Sequence, residues 1–316
     1  MQGRFYLKQK NDSDALNKAI KFFTDAKDLD QNYAKAWAGL ADAYISQSTP
    51  GINGAITPEK AVRLAKPAAN KALELDNTLS EAYNSLGLIS SKYEWKWNDA
   101  ESNFRMAISR NSEFLPAHFG LISVLIMQGR FDEALEEVKK IKEIDPLSNS
   151  ADLETAKIYY MKQDYGQSDK ILSDLLERVP DYKRAMYLRS YQFLTTGKIK
   201  EAIELLESMY KSDNEADKVF AAAPLGFAYA KVGRRAEALK IISDLGKFRK
   251  NNYVPAQEKA LIYVGLGDYE KVFENLRQSC DEKFYALPSW TIDPVVDEVK
   301  SDPRFAEIKK CVNLSS

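Results

Sequence analysis

The stretch Gly129-Arg130-Phe131-Asp132-Glu133-Ala134 reads as the end of one helix, a tight turn and the start of another. Its glycine supplies the left-handed backbone that a short helix-to-helix turn needs, and its alanine falls early in the second helix, where a small side chain lets two helices approach. The pattern returns at Gly197-Lys198-Ile199-Lys200-Glu201-Ala202, Gly233-Arg234-Arg235-Ala236-Glu237-Ala238 and Gly267-Asp268-Tyr269-Glu270-Lys271-Val272. Followed along the chain, the small position is Ala19, Ala65, Ala100, Ala134, Ser168, Ala202, Ala238 and Val272, at spacings of 46, 35, 34, 34, 34, 36 and 34. A helix-turn-helix period near 34 predicts helix pairs stacked along an axis rather than packed around one centre.

The other marked positions agree with stacked pairs. Ala41, Gly87, Ala156, Ser190, Gly226 and Ala260 are small residues on the first helices, opposite the small residue of the second. Tyr44, Tyr159, Phe193, Tyr229 and Tyr263 close first helices, and Pro146 and Pro180 end second helices, where a missing amide donor does least harm. Thr57-Pro58-Glu59 combines a capping hydroxyl, a proline at the first helical position and an acid at the positive end of the dipole. The expected pairs run near 1–33, 34–79, 80–114, 115–148, 149–182, 183–218, 219–252 and 253–284, with a capping segment at 285–316. The 46-residue step places extra residues at Ser46 to Pro58, read as a longer loop or an extended second helix that decorates the array or touches a partner.

This period and these positions resemble the tetratricopeptide repeat. Three stretches further resemble the C-terminal repeat region of bacterial multidomain regulators, in which it follows a winged-helix DNA-binding domain, a nucleotide cyclase or a Ser/Thr kinase. They are the entry repeat Ala34-Lys35-Ala36-Trp37-Ala38-Gly39-Leu40-Ala41-Asp42-Ala43-Tyr44, the aromatic and one-residue-longer turn Tyr93-Glu94-Trp95-Lys96-Trp97-Asn98-Asp99-Ala100-Glu101, and the ending Ile292-Asp293-Pro294-Val295-Val296-Asp297 with Ser301-Asp302-Pro303-Arg304-Phe305. The resemblance implies an all-α, right-handed α-solenoid of about eight helix pairs with a C-terminal cap, and a fused or associated effector domain.

Composition narrows the function. Lysines and arginines number 45, aspartates and glutamates 46, and the net charge is −1, so bulk charge recruits neither nucleic acid nor an acidic membrane. The densest basic stretch, Lys247-Phe248-Arg249-Lys250-Asn251, reads as a solvated helix end. Apolar residues make up 45% of the chain, enough to bury a core. The longest uncharged apolar stretch, Val219 to Ala230, is shorter than the ~20 residues of a bilayer span and contains Pro224. Met1-Gln2-Gly3-Arg4 lacks the apolar run of a signal peptide, so the expected compartment is the cytoplasm, or the periplasm if the chain is excised from a membrane-anchored regulator. Cys280 and Cys311 have no metal-ligand spacing; they read as free thiols in a reducing compartment, with a lone bridge open because cap helices bring distant segments together. The single histidine, His118, falls with Trp37 and Tyr83 at the packing position usually held by tryptophan, and no HExxH, GxSxG or P-loop motif is present. The chain therefore reads as non-enzymatic, with no cofactor and no metal.

In this repeat, a stripe beside the packing stripe of each first helix lines the concave groove. Phe119, Ser123, Ile126 and Met127 form it in the fourth repeat, and Leu153, Lys157, Tyr160 and Met161 in the fifth. Arg184, Tyr187, Tyr191 and Leu194 follow in the sixth, then Phe220, Ala223, Phe227 and Lys231 in the seventh. Aromatic and methionine side chains with Lys157, Arg184 and Lys231 beside them have the composition of a binding hot spot. A one-position error in helix facing would move Tyr187 or Tyr191 into the core, so groove contact and core packing are both readings of this stripe. The Lys and Asn clamp of carboxylate-binding repeats is not matched: Ala38 and Asp42, Asn84 and Leu88, and Phe119 and Ser123 stand at those places. The expected function is an interaction and regulatory module holding a protein or peptide segment in the groove. The alternative is a sensory domain that binds a small apolar or aromatic ligand and signals to an effector.

Overall fold

The computed structural model describes residues 2–9, 12–48, 56–212, 215–248 and 256–314, and every regular element among them is a helix. Two compact units divide the chain, one of Met1–Gln128 with Lys283–Tyr285, the other of Gly129–Glu282 with Ala286–Ser316. The division falls in the turn of the pair expected at 115–148.

The first unit contains α1 (Gln2–Leu7), α2 (Ser13–Leu29), α3 (Ala34–Gln47), α4 (Pro58–Leu75), α5 (Ser80–Ile89), α6 (Trp97–Arg110) and α7 (Leu115–Met127). Each helix packs on the next, and α3, α5 and α7 also pack in succession. Ala19, Ala65 and Ala100 are fully buried, as close packing of a pair demands. Phenylalanine fills the space that glycine leaves: a Cβ on Gly39 would lie 2.4 Å from the Phe23 ring, and one on Gly120 2.4 Å from Phe104. Thr57 Oγ1 accepts from the Lys60 amide at 3.3 Å with Pro58 at the first helical position, as the sequence predicts. The extra residue of the aromatic turn is absorbed by a π-helical turn at Ser90–Glu94, after which Trp95 takes φ 52°. Most of the insertion read at Ser46 to Pro58 lies outside the described residues, as does the end of the basic stretch Lys247 to Asn251.

The second unit contains α8 (Phe131–Ile144), α9 (Asn149–Met161), α10 (Tyr165–Arg178), α11 (Lys183–Thr195), α12 (Ile199–Tyr210), α13 (Glu215–Lys231), α14 (Arg235–Phe248), α15 (Gln257–Leu266) and α16 (Tyr269–Asp281). Then follow α17 (Leu287–Ile292), a 3-10 turn at Pro294–Val299 and α18 (Phe305–Cys311). Ala134, Ser168, Ala202, Ala238 and Val272 are all fully buried. The turn glycines Gly129, Gly197, Gly233 and Gly267 have φ between 70° and 80°, and Gln163 holds the equivalent place at φ 61°. First helices pack on one another, α9 on α11, α11 on α13 and α13 on α15, so this row forms the inner side of the unit. Side chains of the closing segment complete the core: Val296, Val299 and Val312 are fully buried, and Phe305 and Ile308 nearly so. Cys280 of α16 and Cys311 of α18 are joined in a disulfide with Cα atoms 6.4 Å apart, which corrects the free-thiol reading. The chain between the two cysteines, which are 31 positions apart, turns back through α17 and the 3-10 turn, so distance along the chain did not reveal the proximity.

Candidate binding face

In the first unit α7 carries the stripe of the fourth repeat. Ser123 is exposed and donates to the Phe119 carbonyl at 3.0 Å, while Phe119 and Met127 are half-buried and Ile126 is buried. His118 on the packing face is 2% exposed, its Nε2 2.8 Å from the Ser112 carbonyl oxygen. Trp37 makes the same reach in α3, Nε1 donating to the Gln31 carbonyl at 3.0 Å, six residues back in both cases. His118 thus stands in for tryptophan as a pin between a helix and the loop before it.

In the second unit the stripe divides by burial. Tyr160 is fully buried and Phe227 is 4% exposed, so both are core residues of this face rather than free surface. Tyr160 points from the inner row toward Asp293 of the closing segment, and the Phe227 ring lies under the Lys231 ammonium of its own helix. Tyr187 and Tyr191 are half-buried, with rings 4.8 Å apart and the Tyr187 hydroxyl donating to that of Tyr191 at 2.9 Å. Burial, then the neighbouring Tyr187, Glu258 and Asp293, push the Tyr191 phenol well above its ordinary range. Phe220 stands edge-on to Tyr187 at 6.1 Å and is 50% exposed, and Arg184 is exposed nearby in sequence on α11 with Met161 half-buried on α9.

The three cations expected to meet a ligand each face a carboxylate of this chain. Lys157 and Arg184 lie 3.6 Å from the two oxygens of buried Glu154. Lys231 reaches Glu298 at 2.6 Å while its ammonium sits 5.2 Å from the Phe227 ring centroid. The Tyr160 hydroxyl donates to Asp293 Oδ1 at 2.6 Å and lies 3.0 Å from Thr195 Oγ1. Asp293 also accepts from the Val295 amide at 3.0 Å, capping the 3-10 turn, and its burial raises its carboxyl above the ordinary range. Burial followed by the Asp297 and Asp293 charges raises the Tyr165 phenol as well. Burial alone lifts Glu258, in the first turn of α15, to about 7. Sequence reasoning missed Glu154, Asp293 and Glu298 as members of this face. The Asp-Pro dipeptide of the ending was visible, but nothing in the repeat period says which helices it lies against.

No group of three or more His, Cys, Asp or Glu side chains able to hold a metal ion occurs among the described residues, and no described helix is long and apolar enough to cross a membrane.

Comparison with known proteins agrees with this architecture. Residues 96–149 and 153–217 match the tetratricopeptide repeat family. It is 26% identical over 187 residues to the transcriptional regulator HilA of Salmonella typhimurium, a match covering 58% of this chain and 31% of HilA. The chain thus spans about a third of the curated relative. Among solved structures, a tetratricopeptide repeat protein from Parabacteroides merdae matches with a TM-score of 0.60 at 15% identity, over 84% of this chain and 99% of that one. Yeast Tom70 matches with a TM-score of 0.57 at 16% identity, over 94% of this chain and 62% of Tom70. These similarities establish the solenoid fold.

Proposed function

We propose that this chain is a non-enzymatic interaction module of a regulator, holding a protein segment against the inner row of first helices in its second unit. The observation that carries the reading is Phe220, an aromatic ring half exposed beside Tyr187 on that row. An exposed aromatic ring packed on a second aromatic is the composition of an interface anchor, and repeat solenoids use their inner surface for such contacts. The similarity to part of HilA supports a role beside an effector domain, with any DNA contact made by that effector.

The test is capture of partners from source lysate by the unmodified chain and by a Phe220→Ser/Arg184→Glu variant, read by mass spectrometry. Both side chains are exposed, but Arg184→Glu faces the buried Glu154 carboxylate, so a thermal melt first establishes that the variant is folded at the temperature of capture. A protein held by the unmodified chain and lost by the variant supports the module and names its partner. Identical captures would remove this face from the reading and turn attention to small ligands, screened by thermal shift.

A further inference from the structure

The stretch Asp293–Val299 does more than close the end of the array. Tyr160 of α9 donates to Asp293, the 3-10 turn packs on α11 and α15, and Lys231 of α13 pairs with Glu298. Four successive first helices thus grip one short segment, which is the relation a peptide groove has with its ligand. The last pair is α15 and α16; α17 and α18 pack on α16, so the segment's contacts with α9, α11 and α13 reach beyond the end of the array. The gripped segment also has a chemical pattern. An acid stands at each end, Asp293 on a tyrosine hydroxyl and Glu298 on an ammonium, and Pro294, Val295 and Val296 are buried between them.

We propose that this inner face is a peptide groove occupied in cis by Asp293–Glu298, and that the partner presents an acidic segment of the same design, which takes its place. The inference rests on the interaction-module reading and narrows it to one ligand chemistry: acid and proline, then aliphatic residues, then a second acid. The partly exposed Lys231–Glu298 pair holds the segment weakly, whereas buried Val296 and Val299 hold it firmly. An occupant tethered in cis acts at an effective concentration of order millimolar, so the groove opens to a partner only when that partner outcompetes the tether.

The probe is a fluorescein-labelled peptide of residues 291–300, titrated by anisotropy into the full chain and into an Asp293→Asn/Glu298→Gln variant. Binding to the variant should be at least tenfold tighter than to the unmodified chain, and adding Lys231→Glu should abolish it. Equal affinity for both chains, or none for a folded variant, overturns the proposal. Should the variant lose its helical circular dichroism, hydrogen exchange on the unmodified chain decides. Amides of 295–299 that exchange at least tenfold faster than those of α15 and α16 support a displaceable segment; amides that exchange only together with those helices make it a fixed part of the core. A partner captured through Phe220 and Arg184 but not displaced by the peptide would retain the interaction module while discarding occupation in cis.

Discussion

The hydroxyl of Tyr160 donates to Asp293 across 133 residues of sequence, at 2.6 Å, in a setting where both groups are buried. This one bond ties the fifth repeat to the closing segment and converts a residue expected on open surface into part of the core. Removing the hydroxyl leaves a buried carboxylate short of a donor, which costs more than an ordinary hydrogen bond.

Tyr160→Phe should therefore lower stability by about 1–2 kcal/mol at neutral pH. The midpoint of urea unfolding, followed by circular dichroism, measures it; an unchanged midpoint would mean that water or the Val295 amide suffices for Asp293.

Glu258 makes stability depend on pH. Its carboxyl is held at about 7 in the fold, above its unfolded value, so the folded state binds the extra proton between them. The sign follows: stability is full below the unfolded value and is lost as pH rises through 7, by an amount on the order of 3 kcal/mol. Glu258→Gln removes that loss. The variant should melt higher than the unmodified chain at pH 8 and nearly with it at pH 5; parallel curves at both pH values would contradict the assignment.

Gln163 occupies the turn position held by Gly129, Gly197, Gly233 and Gly267, at φ 61°. An L side chain is strained there and glycine is not. Gln163→Gly should raise stability by up to about 1 kcal/mol, whereas Gly197→Ala should lower it by a similar amount. Thermal melts of the two single variants, shifting in opposite directions, check the pair.

The Cys280–Cys311 bridge closes a loop of 31 residues around the closing segment. Closing a loop of that length restrains the unfolded chain by about 4 kcal/mol. Reduction with dithiothreitol, or Cys280→Ala with Cys311→Ala, should lower the melting temperature by several degrees without loss of helix content at 25 °C. Alkylation of two thiols in the untreated native protein, counted by mass spectrometry, would show the bridge unformed.

Repetition explains what was legible in the sequence. A close helix pair tolerates only a small side chain at its crossing, and a tight helix-to-helix turn favours glycine, so Ala134, Ala202, Gly129 and Gly197 announce their roles locally, within a few residues of one another. Residues that act across the fold announce nothing. Glu154 looks like any helical acid until Lys157 and Arg184 are seen on either side of it, and Asp293 looks like a capping residue until Tyr160 is found beside it. The turning of the Asp293–Val299 segment back over α9, α11, α13 and α15 follows the apolar surface that buries Val296 and Val299. Local spacing by itself determined the helix pairs, their period and their turns, because each depends on contacts between sequence neighbours. Only the tertiary structure decided which face of the inner helices is open, which is covered and which charges are already matched, because hydrophobic burial carries no record of sequence distance.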